Sequence, residues 1–353
     1  MSPFAEWLNR RLPIATFREF LSHKRVPTHH HSIWYYFGGV TLFLYLVQVA
    51  TGVLLLLYYR PAPESAFESV RFIVAHVAFG WLVRSVHAWA ANLMVAAAFA
   101  PFFSVFFMKA YRPPRELTWL SGCLLLALTL AFGFSGYLLP WNELAFFATK
   151  VGTDIVGATP FAGHALRFVL RGGEEVTGAT LTRFFGFHVA LLPLVTTLLL
   201  LGHLTLVQLH GISAPIGEPR DARHIPFYPH FVLRELLVWL GALGVLVTLA
   251  TFLPWELGHK ADPFASAPSG IRPEWYFTFM SQTLKYLPPT IFGFEGERVG
   301  ILAFGAIFLA LFLVPLLDRR VARGLPSPLV SAAGAVLLAF MAVMTFLAYV
   351  KPY

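Results

Sequence analysis

The stretch SVHAWAANLMVAAAFAPFFSVFFMKA, residues 85–110, is apolar over almost its whole length and carries one histidine, His87, near its start. A proline, Pro101, follows fourteen residues later. A second apolar stretch carries His188 and His203, which are fifteen residues apart. At a rise of about 1.5 Å per residue, either step corresponds to roughly 21 Å along a helix. The pattern predicts two long apolar helices, one with imidazoles at two depths and the other with an imidazole at a single depth.

The composition excludes an ordinary soluble protein. Of the 353 residues, 57% are hydrophobic and only 12% are charged, and the mean hydropathy is +0.67. About 20 apolar residues in a helix cross the hydrocarbon core of a bilayer. Seven segments meet this condition, at residues 33–58, 83–108, 117–138, 184–206, 231–253, 296–317 and 327–350. The predicted fold is therefore an all-α polytopic membrane protein, with a four-helix bundle followed by three further transmembrane helices.

The basic residues predict the orientation, because cytoplasmic connections retain Lys and Arg during membrane insertion. One set of connections carries 14 Lys and Arg against 7 Asp and Glu, namely residues 1–32, 109–116, 209–235 and 318–323. The amino terminus, with an amphipathic segment from Phe4 to Phe20 that is predicted to lie on the membrane surface, is therefore expected in the cytoplasm. Seven crossings put Lys351 and Tyr353 on the opposite, positive side. The net charge of +8 follows from this bias and from attraction to lipid headgroups, and does not indicate a nucleic-acid partner.

Glycines repeat at the same fourteen-residue step that separates His87 from Pro101. Gly38 and Gly52 are fourteen residues apart in the first predicted helix, and Gly122 and Gly136 are fourteen apart in the third. Glycine in a membrane helix often serves only to let two helices touch. The matched spacing on two helices favours a second interpretation, in which flat rings approach the backbone at two depths.

Two long connections are predicted on the positive side, over residues 141–183 and 254–297. The first begins with a segment of helical spacing that suits the membrane interface. The second contains PEWYF at residues 273–277, where a proline opens a helix. Two such elements can roof a pocket that a small lipid-soluble substrate enters from the side.

At this point the chain resembles a known family over nearly its whole length. The motifs RSVHAW (84–89), PPRELTW (113–119), GYLLPW (136–141), HGIS (210–213) and PEWY (273–276) occur in the order found in cytochrome b of the quinol-oxidising bc and bf complexes. The chain resembles the four-helix cytochrome of the bf branch fused to its three-helix partner. The resemblance implies a cytoplasmic segment (1–32), a haem-binding four-helix bundle (33–210) and a three-helix part that contributes to the quinol site (211–353).

The resemblance implies that His87 and His188 are axial ligands of one haem b. An imidazole on each face keeps haem iron six-coordinate and suited to electron transfer. For a single buried histidine, core packing or an interhelical hydrogen bond is the commoner explanation, but the matched depth of this pair favours ligation. The other residues implied at the haem sites are Arg84, as partner of a propionate, and Gly38, Gly52, Gly122 and Gly136, which leave room for the rings.

The chain departs from the family at the second haem, which is expected between position 101 and His203. Pro101 offers no imidazole and interrupts a helix. Where the family places basic residues or a tethering cysteine, this chain has Ser104, Gln208, Leu209 and Tyr36. Three possibilities follow: the haem is absent, it is five-coordinate on His203, or another side chain replaces the ligand. Met108 is a poor substitute, because it lies about 10 Å beyond Pro101 along a helix.

PEWY resembles the quinol-oxidation motif of the family, which implies that Glu274 accepts a proton from the quinol and that Tyr276 positions the ring. Burial can raise the pKa of such a carboxyl towards the working pH. In isolation, Glu274 is more typical of a solvated acid that follows Pro273 at a helix start, but the histidine spacing on the same membrane side favours the quinol-site interpretation. The predicted pocket walls are aromatic residues, of a kind also enriched at membrane interfaces: Tyr137, Trp141, Phe146 and Phe147.

The resemblance implies a cytochrome b subunit of a quinol:electron-acceptor oxidoreductase in a bacterial inner membrane. Electrons would pass to a Rieske-type iron-sulfur protein and to the haem. A c-type cytochrome or other haem subunit, and a second copy of the chain, are the further partners implied. Two alternatives remain: a degenerate cytochrome b with part of the electron path lost, and a transporter or structural scaffold whose intramembrane histidines relay protons.

Overall fold

The computed structural model describes residues 6–7, 10–11, 23–217, 223–268 and 271–350. The predicted surface helix from Phe4 to Phe20 lies almost entirely outside these residues, as do Lys351 and Tyr353. The described helices are α1 (Tyr36–Leu56), α2 (Ala66–His76), α3 (Gly80–Phe107), α4 (Glu116–Leu138), α5 (Glu143–Gly157), α6 (Gly163–Arg171), α7 (Gly178–Gly186), α8 (Leu192–His210), α9 (Val232–Phe252), α10 (Trp275–Tyr286), α11 (Gly296–Phe312), α12 (Val314–Leu317), α13 (Arg319–Ala322) and α14 (Pro328–Val350). A 3₁₀ turn precedes α1, and π-helical turns at Phe187–Leu191 and Phe227–Phe231 precede α8 and α9. The all-α prediction is confirmed.

Six helical segments within the described ranges are long and apolar enough to cross a membrane. They are Ser32–Leu56, Gly80–Phe107, Glu116–Leu138, Gly178–His210, Phe227–Phe252 and Pro328–Val350. The chain is therefore a multi-pass membrane protein, and six of the seven predicted spans correspond to these segments.

The seventh predicted span, residues 296–317, forms a shorter helix. α11 has 17 residues, about 26 Å of helix, and stops at Phe312. Pro315 has no N–H to donate to the carbonyl of Leu311, which an uninterrupted helix would require. The indole Nε1 of Trp119 donates to that carbonyl at 2.9 Å, and a backbone N–H at the end of the helix also donates to it. A side chain from α4 thus helps to satisfy the last turn of α11.

One end of the bundle, called the lower end, is where α1 and α9 begin and where α3 and α8 finish. Strand β1 (Arg25–Pro27) pairs there in antiparallel fashion with β2 (His224–Pro226). In the α3–α4 connection, Arg112 Nη2 donates to the Ala214 carbonyl at 2.7 Å, and Arg115 Nη2 donates to the His210 carbonyl at 2.7 Å. The connections predicted to share the cytoplasmic side are therefore together at one end.

The opposite, upper end carries the roof that the sequence predicted. Helices α5, α6 and α7 follow α4 there, and α10 follows α9. A loop from the second part is tied to the first, since Asn142 Nδ2 donates to the Leu257 carbonyl at 2.7 Å and the Ala261 N–H donates to the Trp141 carbonyl at 3.1 Å. A β-hairpin, β3 (Thr290–Ile291) with β4 (Phe294–Glu295), leads into α11.

The two predicted membrane parts share a core. Val40 and Leu44 of α1 are buried against Ala90 and Met94 of α3, together with Leu246 of α9. Alanine in α3 lets the helices approach closely, which supplies van der Waals contact where lipid offers no hydrophobic drive. The bundle is therefore continuous across the predicted boundary at residue 211.

Arg171 holds the helices of the roof together. Its side chain is only 2% exposed. The guanidinium donates to Thr153 Oγ1 and to the carbonyls of Glu174 and Lys150 at 2.7–2.8 Å, and forms an ion pair with Asp154 at 2.8 Å. One planar group with fixed donor directions thus joins α5 to the end of α6.

Replacing Arg171 with alanine is expected to lower the stability of the roof, because the buried Thr153 hydroxyl and two backbone carbonyls lose their donor. The cost should be at least about 2 kcal/mol of unfolding free energy. Thermal unfolding of the purified protein in detergent measures it. Arg167→Ala is the matched control, since Arg167 also pairs with Asp154 and Glu174 but is more exposed, and should cost about 1 kcal/mol or less. Equal effects of the two substitutions would contradict the assignment.

Candidate functional site

His87 of α3 and His188 of the π-helical turn before α8 face one another. Their ring centroids are 6.4 Å apart and the ring planes are inclined by 70°. A metal–imidazole bond of about 2 Å and a ring radius of about 1 Å place the centroids of two opposed imidazole ligands about 6 Å apart. The observed separation therefore fits one metal ion bound between the two rings.

Each of the three predicted histidines has a hydroxyl partner at Nδ1. The pairs are His87 with Thr51 at 2.8 Å, His188 with Ser135 at 3.0 Å, and His203 with Ser121 at 2.9 Å. Each hydroxyl also donates its only proton to a backbone carbonyl of its own helix, at 2.7–3.2 Å. A hydroxyl that donates to this carbonyl accepts from Nδ1–H. That arrangement leaves the lone pair on Nε2, the nitrogen that would face a metal.

The residue that follows each hydroxyl is a predicted glycine. A Cβ at Gly52 would lie 3.4 Å from Cε1 of His87, one at Gly122 would lie 3.4 Å from Cε1 of His203, and one at Gly136 would lie 2.6 Å from Cε1 of His188. The His188 ring therefore leaves room for glycine, but not for a larger residue, at position 136. Gly38 differs, because a Cβ there would have nothing within 4 Å.

The hydroxyls escaped prediction although the sequence contains their signal. Thr51-Gly52, Ser121-Gly122 and Ser135-Gly136 are hydroxyl–glycine pairs, whereas Gly38 follows Phe37. The pair is lacking at the position that faces no histidine. A search of the sequence for a hydroxyl residue beside each predicted glycine would have found the hydroxyl partners of all three histidines.

The fifteen-residue step from His188 to His203 has a structural cause. Fourteen residues of α-helix make about 3.9 turns and return to nearly the same face. The π-helical turn Phe187–Leu191 adds one residue to the helix without advancing the face. His188 and His203 therefore both point towards α4, where Ser135 and Ser121 meet them.

A cavity of about 320 Å³ lies beside the first histidine pair and extends to the PEWY segment. Its lining includes His87 and His188, and also Tyr137, Glu274 and Tyr276. Its other predicted lining residues are Arg84, Gly52 and Gly136. The predicted haem-side and quinol-side residues therefore share one space.

Tyr276, at the start of α10, reaches across to α4. A Cβ at Gly133 would overlap the Tyr276 hydroxyl, so only glycine leaves room for this ring. The turn before α10 is fixed by Thr278, whose hydroxyl contacts the carbonyls of Pro273 at 3.2 Å and Glu274 at 3.1 Å. Burial raises the pKa of Glu274 above its usual range. Burial first, and the nearby Glu274 carboxylate second, raise the pKa of Tyr276.

Arg84, predicted as a propionate partner, also binds backbone. Its guanidinium donates to the carbonyls of Trp255 and Glu256, the latter at 3.0 Å. Ser85 donates to the Ala250 carbonyl at 3.0 Å, and the Trp89 indole donates to the Leu253 carbonyl at 2.8 Å. The start of α3 thus anchors the end of α9 and places Arg84 at the cavity wall.

Three predicted pocket walls lie elsewhere. Trp141, Phe146 and Phe147 are buried in the apolar core beneath α5, together with Leu138 and Phe184. They support the roof and do not line the cavity of His87. Tyr137 is the predicted aromatic residue that does line it.

Pro273 lines a second cavity that adjoins the first. Trp89, Trp255 and Tyr349 form walls of this second cavity, and Glu274 lines both spaces. The Glu274 side chain therefore lies where the two cavities meet.

At the lower end, the residues predicted to replace family side chains have ordinary contacts. Ser104 donates to the Pro101 carbonyl at 3.1 Å, and Tyr36 stacks on Phe231 with centroids 4.9 Å apart. Leu209 is 73% exposed. Met108 is buried just after the end of α3, beyond the last turn that carries Pro101.

Gln208 has a basic partner that sequence reasoning missed. The Lys24 ammonium donates to both the backbone carbonyl of Gln208, at 2.8 Å, and its side-chain oxygen. A positive charge therefore lies at the end of α8, although position 208 itself is neutral. Its source is 184 residues earlier in the chain, so no local pattern could have revealed it.

Comparison with known proteins identifies the family. Residues 21–211 match the family model described as Cytochrome b/b6/petB, and residues 260–352 match the one described as Cytochrome b(C-terminal)/b6/petD. This chain belongs to the cytochrome b family. Membership implies that the chain binds haem b, and the two matches confirm a b6-like part and a subunit-IV-like part in one polypeptide.

Individual relatives agree with the family. The Cytochrome bc complex cytochrome b subunit of Chlorobaculum thiosulfatiphilum is 48% identical over 353 residues, covering 98% of this chain and 81% of that protein. Cytochrome b6 of Heliobacterium mobile is 43% identical over 211 residues, covering 60% of this chain and 99% of that protein. A solved structure described as Hyperthermophilic respiratory Complex III has a TM-score of 0.80 at 28% identity and covers 98% of both chains. The chain is thus a cytochrome b of the kind found in bc and b6f complexes.

Replacing Gly136 with alanine is expected to reduce bound haem, because the added methyl group would lie 2.6 Å from the His188 ring and force the imidazole to move. Haem content per chain, from a pyridine haemochrome assay, measures the loss, which should exceed about half of the upper haem. Gly202→Ala is the matched control, since Gly202 precedes His203 but a Cβ there has nothing within 4 Å. Full haem content in Gly136→Ala would refute this role of the glycine.

Proposed function

We propose that the chain oxidises quinol at its upper end as the cytochrome b subunit of a bc-type complex. The observation that carries the proposal is that one cavity is lined by His87 and His188 and also by Glu274 and Tyr276. A quinol bound there would lie beside both a proton acceptor and an electron acceptor.

His87 and His188 would hold haem b, which supplies a one-electron acceptor when bound. Thr51 and Ser135 set the two rings so that each Nε2 faces the metal. Gly136 gives the His188 ring its room, and Gly52 lies in contact with His87. Arg84, at the cavity wall, would pair with a propionate through the donors that it does not give to backbone carbonyls.

Glu274 would accept a proton from the quinol hydroxyl, and Tyr276 would position the ring. The raised pKa of Glu274 suits this role, because a base whose pKa is closer to the working pH can both take up a proton and release it. The second cavity, which Glu274 also lines, gives the proton a direction of release away from the haem side. One quinol oxidation thus yields two protons and two electrons at the upper end.

The two electrons would leave by different routes. A Rieske-type iron-sulfur protein would take the first, and the haem held by His87 and His188 would take the second. A c-type cytochrome or other haem subunit and a second copy of the chain are the further partners proposed, within a bacterial inner membrane whose cytoplasmic side meets the lower end. The support for a multi-subunit assembly is that the relatives are named for a bc complex and a Complex III.

The proposal is tested by the redox spectrum of the purified complex. The protein is expected to show a low-spin haem b signal in a reduced-minus-oxidised spectrum, and His87→Ala or His188→Ala should abolish it. Loss of one ligand leaves an imidazole facing an unfilled position, so most of the haem should dissociate. A complex without haem would contradict the proposal, and unchanged spectra in both variants would show that His87 and His188 do not hold the haem.

Quinol oxidation is expected to fall as pH falls through the raised pKa of Glu274, because the protonated carboxyl cannot accept a proton. The midpoint should lie above the value of about 4.3 for a free glutamate. Glu274→Gln should lose this limb of the pH profile and at least about 10²-fold in kcat. Steady-state rates of acceptor reduction across pH measure both.

Glu256→Gln is the matched control, since Glu256 belongs to the same connection and its side chain is exposed. That variant should keep the wild-type profile. A Glu274→Gln protein with an unchanged pH limb would show that the carboxyl does not accept the proton.

A further inference from the structure

Four of the residues that the structure describes line both the first cavity, beside His87 and His188, and the second cavity, beside Pro273. They are Asn92, Tyr137, Trp255 and Glu274. Glu274 is the proposed proton acceptor, and Asn92 belongs to α3, five residues after His87. One helix therefore reaches both the histidine pair and the meeting point of the two cavities.

The side of α3 that faces the second cavity is aromatic or aliphatic except at one position. It is formed by Trp89, Asn92, Leu93 and Ala96, whose spacing of i, i+3, i+4 and i+7 places them on one face of the helix. An amide on such a face of a membrane helix costs free energy unless its polar atoms are bonded. The position of Asn92 therefore requires partners for both ends of its amide.

The amide of Asn92 has these partners, and they define its orientation. Its Nδ2 donates to the carbonyl of Ala88, one turn earlier in α3, at 3.0 Å. The indole Nε1 of Trp275 donates to its Oδ1, also at 3.0 Å. A carbonyl can only accept and an indole N–H can only donate, so the two partners select the same orientation of the amide. Asn92 is therefore held by its own helix and in turn holds Trp275.

Trp275 is the first residue of α10 and directly follows Glu274. The Glu274 side chain does not cap α10, so its direction depends on where the backbone of this turn lies. Thr278 contacts the turn from within, at the carbonyls of Pro273 and Glu274. The bond from Trp275 to Asn92 fixes the same turn against a neighbouring helix. This restraint acts one residue away from the half-buried carboxyl.

We propose that Asn92 is a positioning residue for quinol oxidation, because through Trp275 it keeps the Glu274 carboxyl where the two cavities meet. Asn92 itself exchanges no proton. A carboxyl at this place can accept a proton from a quinol hydroxyl in the first cavity and release it into the second, whereas a carboxyl displaced towards one cavity loses contact with the other. The proposal rests on the proposed function, since it takes Glu274 to be the proton acceptor.

Two substitutions remove the bond from opposite ends. Asn92→Leu replaces the amide with an apolar side chain of similar volume, and Trp275→Phe removes the indole N–H but keeps an aromatic ring. A misplaced acceptor slows proton transfer more than it weakens substrate binding, so kcat should fall at least about tenfold in each variant while KM changes less than about twofold. Steady-state acceptor reduction by the purified complex, with a short-chain quinol as substrate, measures both. Each variant should keep the haem content of the wild type.

The pH profile separates displacement of the carboxyl from a general loss of stability. Burial keeps the pKa of Glu274 raised, so a carboxyl released from its buried position has a lower pKa. The rate falls as pH falls through this pKa, and the limb should therefore move to lower pH by at least about half a unit in both variants. Other titratable groups that line the two cavities or adjoin Glu274 stay the same in these variants: Tyr45, Tyr59, Arg84, His87, Tyr137, His188, Arg272, Tyr276 and Tyr349.

The effects of the two substitutions should not be independent, since both delete one bond. In the double variant, kcat is expected to lie within about twofold of the lower of the two single variants. Trp239→Phe is the matched control, because the Trp239 indole also donates to a side-chain oxygen at 3.0 Å, that of Glu235 in α9. The control should keep the wild-type kcat and pH limb.

The results that overturn this inference leave the proposed function standing. Wild-type kcat and pH limb in Trp275→Phe would show that the bond does not position Glu274, and this variant decides the question if Asn92→Leu does not accumulate. Effects that multiply in the double variant would show that Asn92 and Trp275 act separately. The proposed function fails on different results, which are an unchanged pH limb in Glu274→Gln or a missing low-spin haem signal.

Discussion

The hydrogen bond between a helix hydroxyl and a histidine Nδ1 sets the chemistry of this protein. In each case the hydroxyl lies within hydrogen-bond distance of a backbone carbonyl of its own helix, and when it donates there it accepts from the ring. The imidazole then carries its proton on Nδ1 and leaves the lone pair on Nε2. An apolar membrane core strengthens this selection, because a buried donor without an acceptor is costly there. Thr51, Ser135 and Ser121 thus determine which nitrogen can bind a metal.

The requirement that buried donors and acceptors be paired also shapes the upper end. Arg84, Ser85 and Trp89 all direct side-chain donors at carbonyls near the end of α9, where the helix stops supplying partners. The first turn of α3 is therefore bonded to the connection that leads to Glu274. One helix thereby positions both His87 and the approach to the proton acceptor, which explains how two distant parts of the chain line one cavity. At the lower end, the Trp119 indole likewise donates to a carbonyl in the last turn of α11.

The sequence predicted features that follow from apolar length and spacing. Six spans, the histidine pair and the two-part roof depend on periodicity and composition, which are local properties. The sequence did not show which of the predicted aromatic residues line the cavity. Tyr137 and Trp141 are four residues apart and both aromatic, and only the folded chain places Tyr137 at the cavity and Trp141 in the apolar core. Lys24 was missed for a related reason, since its role depends on a contact across most of the chain. In the sequence, the π-helical turn shows only as a step of fifteen residues, one more than fourteen, from His188 to His203.

At the lower end, His203 has the same kinds of partner as the upper histidines, although position 101 is a proline. Ser121 is bonded to the ring of His203, and Gly122 leaves room beside it. They retain the geometry found at His87, with the same 3.4 Å separation between the hypothetical Cβ and the ring. In α1, Phe37 precedes Gly38 at the place where the three other glycines follow a hydroxyl residue, and no histidine faces Gly38. The two histidines of the α8 segment therefore share one hydroxyl–glycine setting, but only His188 has a second imidazole opposite it.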